Sequence, residues 1–211
     1  AKAMAYFAKS PAKRIAIPTT SGSGSEVTDF AILTHDGVKH PLVDPSLRPD
    51  MAIVDPQLVE KLPTSLVADG GFDVLTHALE ALVAKNASPI TDALAKDAFC
   101  AVFAMLPASF GGDKLVRQRI HNASAMAGLA FTHSGLGLCH ALAHALGGAF
   151  HLPHGRLTNE IFSRQRGRRE IKGGNTSCYL TIHFLWPWTV YIMCTQTSLN
   201  MANRNLLIKC R

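Results

Sequence analysis

The residues best suited to chemistry begin with Asp73 and His77, four apart in a stretch that reads Gly-Gly-Phe-Asp-Val-Leu-Thr-His-Ala-Leu-Glu-Ala-Leu-Val from Gly70 to Val83. The Ala/Leu-rich periodicity around them predicts a helix, on which i and i+4 lie one above the other. A carboxylate and an imidazole on one helix face can converge on one point and ligate a divalent metal. A lone Asp-x-x-x-His also describes a helix-start aspartate followed by an unrelated core histidine. Some sixty residues on, the segment from Gly135 to Gly155 carries His140, His144, His151 and His154, four histidines within fifteen positions. A single histidine there would ordinarily be a satisfied core residue. Four of them, following an Asp-x-x-x-His on an earlier helix, point to a metal site. Spacing does not say which two of the four bind. The His140-x-x-x-His144 pair lacks the glutamate of His-Glu-x-x-His, so a zincin peptidase is not supported.

The elements that must position these side chains change character along the chain. Residues 1–9 read as the end of a helix, and Arg14–Pro18 as a short buried strand closed by proline. Pro18–Glu26 is a Gly/Ser/Thr-rich loop whose small side chains, backbone N–H groups and hydroxyls suit a phosphate or polar cofactor. By composition alone a flexible surface turn is the simpler reading. Val27–Thr34 predicts a strand, His35-Asp36-Gly37 a turn, and Met51–Asp55 a third strand. From Leu62-Pro63 onward the pattern becomes helical, over Ser65–Ala84, Asp92–Leu106, Lys114–Thr132 and Leu136–Gly148. Strands followed by helices predict an α/β part plus an all-α part, with a boundary near residue 62.

Composition bounds the function classes. A chain of 211 residues that is 47% hydrophobic and 17% charged suits a globular protein with a sizeable core. No apolar run reaches the roughly eighteen residues of a membrane span, and the first residues show no signal-peptide pattern. Five cysteines, odd in number and without Cys-x-x-Cys pairing, argue against a disulfide framework and a zinc ribbon, and suit a reducing, cytoplasmic setting. Residues 1–158 carry 13 Lys/Arg against 13 Asp/Glu, whereas residues 159–211 carry 8 against 2, so the tail supplies the whole +6. The basic balance therefore does not mark the core as nucleic-acid binding, and no nucleic-acid or membrane partner is expected. The basic run Arg164–Lys172 reads as part of a solvated, disordered appendage.

Five motifs together resemble the iron-containing (group III) alcohol dehydrogenases, the members of bacterial propanediol and ethanolamine utilisation most of all. They are Ile-Pro-Thr-Thr-Ser-Gly-Ser-Gly-Ser-Glu-Val-Thr (17–28), Asp-x-Leu-Thr-His-Ala-Leu-Glu-Ala (73–81), Ala-Gly-Leu-Ala-Phe (127–131), Gly-Leu-Gly-Leu-Cys-His-Ala-Leu-Ala-His (135–144) and Pro-His-Gly (153–155). The resemblance covers roughly residues 1–157. It implies metal ligation by Asp73, His77, His140 and His154, with His144 beside the nicotinamide as the active-site histidine. It implies that Thr19, Thr20, Gly22 and Ser23 lie along the cofactor and that Lys39 contacts it. The implied cofactors are Fe(2+), with Zn(2+) an alternative, and NAD(H). The implied reaction is hydride transfer between short-chain aldehydes and primary alcohols, in a self-associating cytoplasmic enzyme or one held in a bacterial microcompartment.

The chain also departs from the family. Ala1-Lys2-Ala3 resembles the end of the family's pyrophosphate region, so the expectation is a partial nucleotide-binding α/β domain over residues 1–62. A partial helical, dehydroquinate-synthase-like metal-binding domain is expected over residues 63–157. Residues 158–211 read as an unrelated basic tail holding both tryptophans, Trp186 and Trp188. His133 stands where relatives carry a polar amide, and no metal role is expected for it. A non-catalytic metal-binding fragment and an interaction module remain the alternatives to an enzyme.

Overall fold

In the computed structural model, four strands lie within residues 15–52 and five helices within residues 64–164. The structure describes residues 1–164, 169–173, 176–185, 189–197 and 205–209. A first helix, α1 (Lys2–Phe7), precedes β1 (Ile15–Ala16), which pairs in parallel with β4 (Met51–Ala52). Between them β2 (Phe30–His35) and β3 (Val38–Val43) form an antiparallel hairpin with His35 opposite Val38. Its loop is Asp36-Gly37, both at positive φ (47° and 73°), the pair that a two-residue hairpin turn of matching twist favours. The turn was legible in the sequence, but β3 was not, because Lys39, His40 and Pro41 interrupt its apolar alternation.

Five helices follow: α2 (Thr64–Val83), α3 (Pro89–Phe110), α4 (Lys114–Ser134), α5 (Leu138–Ala149) and α6 (His154–Arg164). α3 starts three residues before the expected Asp92 because Ser88 and Thr91 form a reciprocal capping box around Pro89 at the first helical position. Asp113 caps α4 by accepting from the N–H groups of Leu115 and Val116. The core lies between α2, α3 and α4, where Val74, Ala78, Ala98, Phe99, Val102, Ala123 and Ala127 are buried. Between Gly71 and Leu82 nearly every residue of α2 is buried, Asp73, His77 and Glu80 included. A helix buried on all sides is a core helix, and this one carries three ionisable side chains inward. Arg117 of α4, itself buried, donates to the carbonyls of Val59, Glu60 and Leu62 and so anchors the segment that leads into α2.

By length and composition alone, α3 would suffice to cross a membrane. Here it packs against α2 and α4 as a core helix, with its Ala-rich face inside. Cys139 is a buried free thiol.

Residues 1–159 form one compact unit. The reason is the Gly/Ser loop, which is wedged against the helices. A Cβ added at Gly70 would stand 2.3 Å from the Ser21 carbonyl oxygen, and one at Gly22 would stand 3.1 Å from the Gly70 Cα. Loop and helix backbones thus touch at a place where neither can carry a side chain. Ser21 Oγ is also 2.9 Å from Nδ1 of the buried His121 of α4.

The second unit, Glu160–Arg211, contains β5 (Arg169–Gly173), β6 (Thr176–Leu185), β7 (Thr189–Thr197) and β8 (Asn205–Lys209) in one antiparallel sheet of that order. Residues 176–197 are rich in Thr, Ile, Tyr, Val and Phe, which fit a pleated sheet. Residues 165–168 of the basic run, and Trp186 and Trp188, lie outside the described residues. α6 passes through residue 158, where the tail was expected to begin.

The Ser21–Gly70 contact gives a prediction. Gly70→Ala gains about 1 kcal/mol of helix propensity but forces a methyl into backbone, an overpacking cost of about 1–3 kcal/mol. The expected outcome is a net loss of stability, read as a lower midpoint in denaturant unfolding.

Candidate metal centre

α2 and α5 cross so that their histidines meet. The rings of His77 and His140 stack with centroids 4.3 Å apart and planes 17° from parallel, and Phe131 of α4 covers the other face of His77 at 4.4 Å. α6 brings His154 to the same place, because Gly155 lies against α2: a Cβ there would stand 2.4 Å from the Asp69 carbonyl oxygen. The chain reverses before α6 through His151, which takes a left-handed conformation (φ 53°).

The Asp73 carboxylate sits at the centre. Its Oδ1 is 3.6 Å from His140 Nε2 and 3.6 Å from His154 Nε2. Among the described residues, Asp73, His140 and His154 offer ligand atoms that all lie within 4.8 Å of one another. Two donors each about 2.1 Å from one ion at a tetrahedral angle are about 3.4 Å apart, close to the observed separations. The buried His140 Nε2, which faces Asp73, has no hydrogen-bond partner among the described residues, as expected where an ion would complete the shell. Asp73, His140 and His154 thus fit a divalent metal.

The other expected site residues divide. His77 borders the group with its ring flat against His140, and lies outside the three-residue set. His144 stacks on His154 at 4.7 Å and lies 6.3 Å from His140. A cleft of about 1180 Å³ opens from the histidines, and Ser23 and Lys39 line it. Thr19 and Thr20 are exposed and, like Gly22, are not among its lining residues. Gly22 instead makes the contact with Gly70. His133 is exposed and His151 is exposed, and neither joins the group.

Two residues near the ligands received no role from the sequence. Glu80, one turn beyond His77, accepts a hydrogen bond from His140 Nδ1 at 2.6 Å. Its signal was available: positions 73, 77 and 80 share one helical face. Thr158, fully buried, donates to Asp73 Oδ1 at 3.4 Å and to the Gly155 carbonyl at 2.9 Å. It was missed because the sequence resemblance stopped at Leu157.

The electrostatics follow from burial. Burial alone would raise the Asp73 pKa, yet His77, His140 and His154 together pull it well below the usual carboxylate range. Burial pushes His77 down to about 3, with Asp73 only partly offsetting this. His144 falls to about 4, first through burial and then through His154 and His140. His140 is the exception. Burial opposes its charge, but hydrogen bonds to Asp73 and Glu80 raise it to about 9. Without a metal, the two carboxylates therefore favour a proton on His140.

Two family models match the chain. The iron-containing alcohol dehydrogenase model matches residues 1–56, and the C-terminal model of the Fe-containing alcohol dehydrogenase family matches residues 67–165. This chain belongs to the iron-containing alcohol dehydrogenase family. The second match runs eight residues beyond Leu157, in step with the continuation of α6. The chain is 52% identical over 185 residues to the 1-propanol dehydrogenase PduQ of Citrobacter freundii, covering 82% of this chain and 50% of that protein. It therefore spans half the length of that relative. The iron-containing alcohol dehydrogenase of Thermococcus thioreducens superposes with a TM-score of 0.65 at 46% identity, over 68% of this chain and 38% of that one. The sulfoacetaldehyde reductase of Bifidobacterium kashiwanohense, solved in complex with NAD+, gives 0.67 at 35% identity, over 76% and 44%.

The protonation pattern predicts how metal loading depends on pH. A divalent ion must displace the His140 proton, which is held up to about pH 9, whereas His77 is already neutral at pH 7. Apparent affinity is expected to rise about tenfold per pH unit from 7 to 8, with one proton released per ion. Metal titration at the two pH values, with proton release measured in weak buffer, checks this.

Proposed function

We propose that this chain supplies the metal centre and one wall of the cofactor cleft of an alcohol dehydrogenase. The reaction is the interconversion of short-chain aldehydes and primary alcohols with NAD(H). The observation that carries the reading is the convergence of Asp73, His140 and His154, with the orphaned His140 Nε2, at the head of a large cleft. Asp73, His140 and His154 would hold Fe(2+) or Zn(2+), with His77 as a fourth ligand. Such an ion supplies Lewis acidity toward the substrate oxygen. A charge of one carboxylate among neutral imidazoles suits a divalent cation, and the apolar faces of Phe131 and Leu136 keep that end of the cleft poor in water.

Support for an anionic dinucleotide comes from the cleft walls. Lys2, Lys13, Arg14 and Lys39 line the cleft, against Asp73 as the one carboxylate among its lining residues. A cleft edged by one sign of charge focuses the potential on a ligand of opposite sign. Lys39 and Ser23 would border the cofactor there, and Thr19, Thr20 and Gly22 would lie along it as the family resemblance implies. A nicotinamide bound there would supply hydride chemistry, and oxidation of an alcohol would leave one proton to be removed. His144, neutral at pH 7 and stacked on His154, would relay that proton. The chain is proposed to self-associate, with Leu138 and Leu142 of α5 and Phe150 just beyond its end as exposed apolar surface.

A second reading is a metal-binding unit without turnover. It is favoured by the two-stranded parallel β1–β4 pair, since parallel sheets are ordinarily larger and covered on both faces. An anaerobic assay of NADH- and NADPH-dependent propanal reduction after Fe(II) loading separates the two. Turnover that falls about a hundredfold or more in His144→Ala, with metal content kept, is the expected result. Stoichiometric metal without turnover would establish the second reading instead.

A further inference from the structure

We propose that Glu80 is the positioning residue of the metal centre: it selects the ring nitrogen that His140 presents and also starts the helix that carries His140. This rests on the metal-site reading above. α5 begins at Gly137, which has no side chain with which to cap it, so its first N–H groups need partners from elsewhere. Glu80 reaches across from α2 and supplies them. Its Oε2 accepts from the Gly137 N–H at 3.0 Å, and its Oε1 accepts from the Cys139 N–H at 2.6 Å. A carboxylate at this end of a helix is also favoured by the helix dipole.

The same Oε2 accepts a hydrogen bond from His140 Nδ1–H at 2.6 Å. An ionised carboxylate only accepts, so Nδ1 must carry hydrogen and the neutral ring keeps its lone pair on Nε2. That is the atom 3.6 Å from Asp73 Oδ1. A flip of the ring would set a buried carboxylate oxygen against carbon, so the orientation is locked. Gly137 fits this role, since a Cβ there would stand 3.0 Å from Glu80 Oε1 and 3.3 Å from its Cδ. The room that a side chain would fill is taken by the carboxylate. Asp73 and Glu80, seven residues apart on α2, thus set ligand and ligand orienter on one rigid body.

The test uses the full chain as Glu80→Gln, His140→Ala and the double variant, each titrated with Zn(2+) at one pH. A glutamine offers one accepting atom and turns an N–H2 group on donors that need an acceptor. Zinc affinity is expected to fall about 10–100-fold in Glu80→Gln, with no further fall when the change is made in His140→Ala. In the zinc-loaded wild type, 1H–15N correlation of the histidine rings should show His140 bound through Nε2 with a slowly exchanging Nδ1–H. Glu80→Gln should speed that exchange. Should Glu80→Gln fail to fold by circular dichroism, Gly137→Ala, which keeps the charge but crowds it, is expected to weaken zinc binding several-fold. Unchanged affinity in the folded Glu80→Gln, or an equal loss with and without His140, would overturn the positioning role. If Glu80→Gln fails to fold, unchanged zinc affinity in Gly137→Ala overturns it. A wild type that binds no zinc overturns the metal reading itself. In that case the His140 Nδ1–H of the metal-free chain decides the positioning role separately, and fast exchange there overturns it.

Discussion

A buried carboxylate needs positive charge beside it, and the arrangement of this unit depends on meeting that need at Asp73. Its residue is 5% exposed, and the groups that face its Oδ1 are two imidazole nitrogens and one hydroxyl. Transfer of an unpaired carboxylate into such surroundings costs several kcal/mol, so the charge holds only while a proton or a cation is near. In the metal-free state that is the proton on His140. In the loaded state it would be the ion. The helices that bring His140 and His154 to Asp73 are therefore held partly by the charge they surround.

The backbone makes this approach possible. α2 carries Asp73 and Glu80 into the interior, and its neighbours come close at glycines: Gly22 against Gly70 on one side and Gly155 against Asp69 on the other. The Gly/Ser loop thereby gains a structural meaning besides its likeness to a cofactor-binding loop. Part of it, at Ser21 and Gly22, presses on the helix that bears the ligands. Another part, at Ser23, faces the cleft. One loop thus joins the strand segment to the metal centre, which explains why residues 1–159 hold together as one unit.

The distribution of charge separates two matters that the net value confuses. The excess of basic residues lies beyond residue 158, while the part of the chain that builds the cleft is balanced. Within that balanced part, Lys2, Lys13, Arg14 and Lys39 come from separate segments to one cleft. Lys2 is held by the carbonyls of Ser25 and Thr28, and burial lowers it to about 8. A local field of one sign arises from the fold, not from composition.

Local features of the chain were legible from residues alone. The helix over the Asp73 segment follows from its periodicity, the Asp36-Gly37 turn from its residue types, and the family from motifs whose internal spacing does not depend on the fold. Whatever depends on contact between distant segments was not legible. Spacing alone placed four histidines after residue 139 without ranking them; only the family resemblance singled out His140 and His154, and the reversal through His151 and the seat of Gly155 are what bring those two together. Glu80 looked like one more residue of an Ala/Leu helix until α5 was seen to begin on it. Thr158 acquires its contact with Asp73 only because α6 folds back onto α2. Spacing within a helix sets which side chains share a face, whereas the partner of that face is set by how the helices pack.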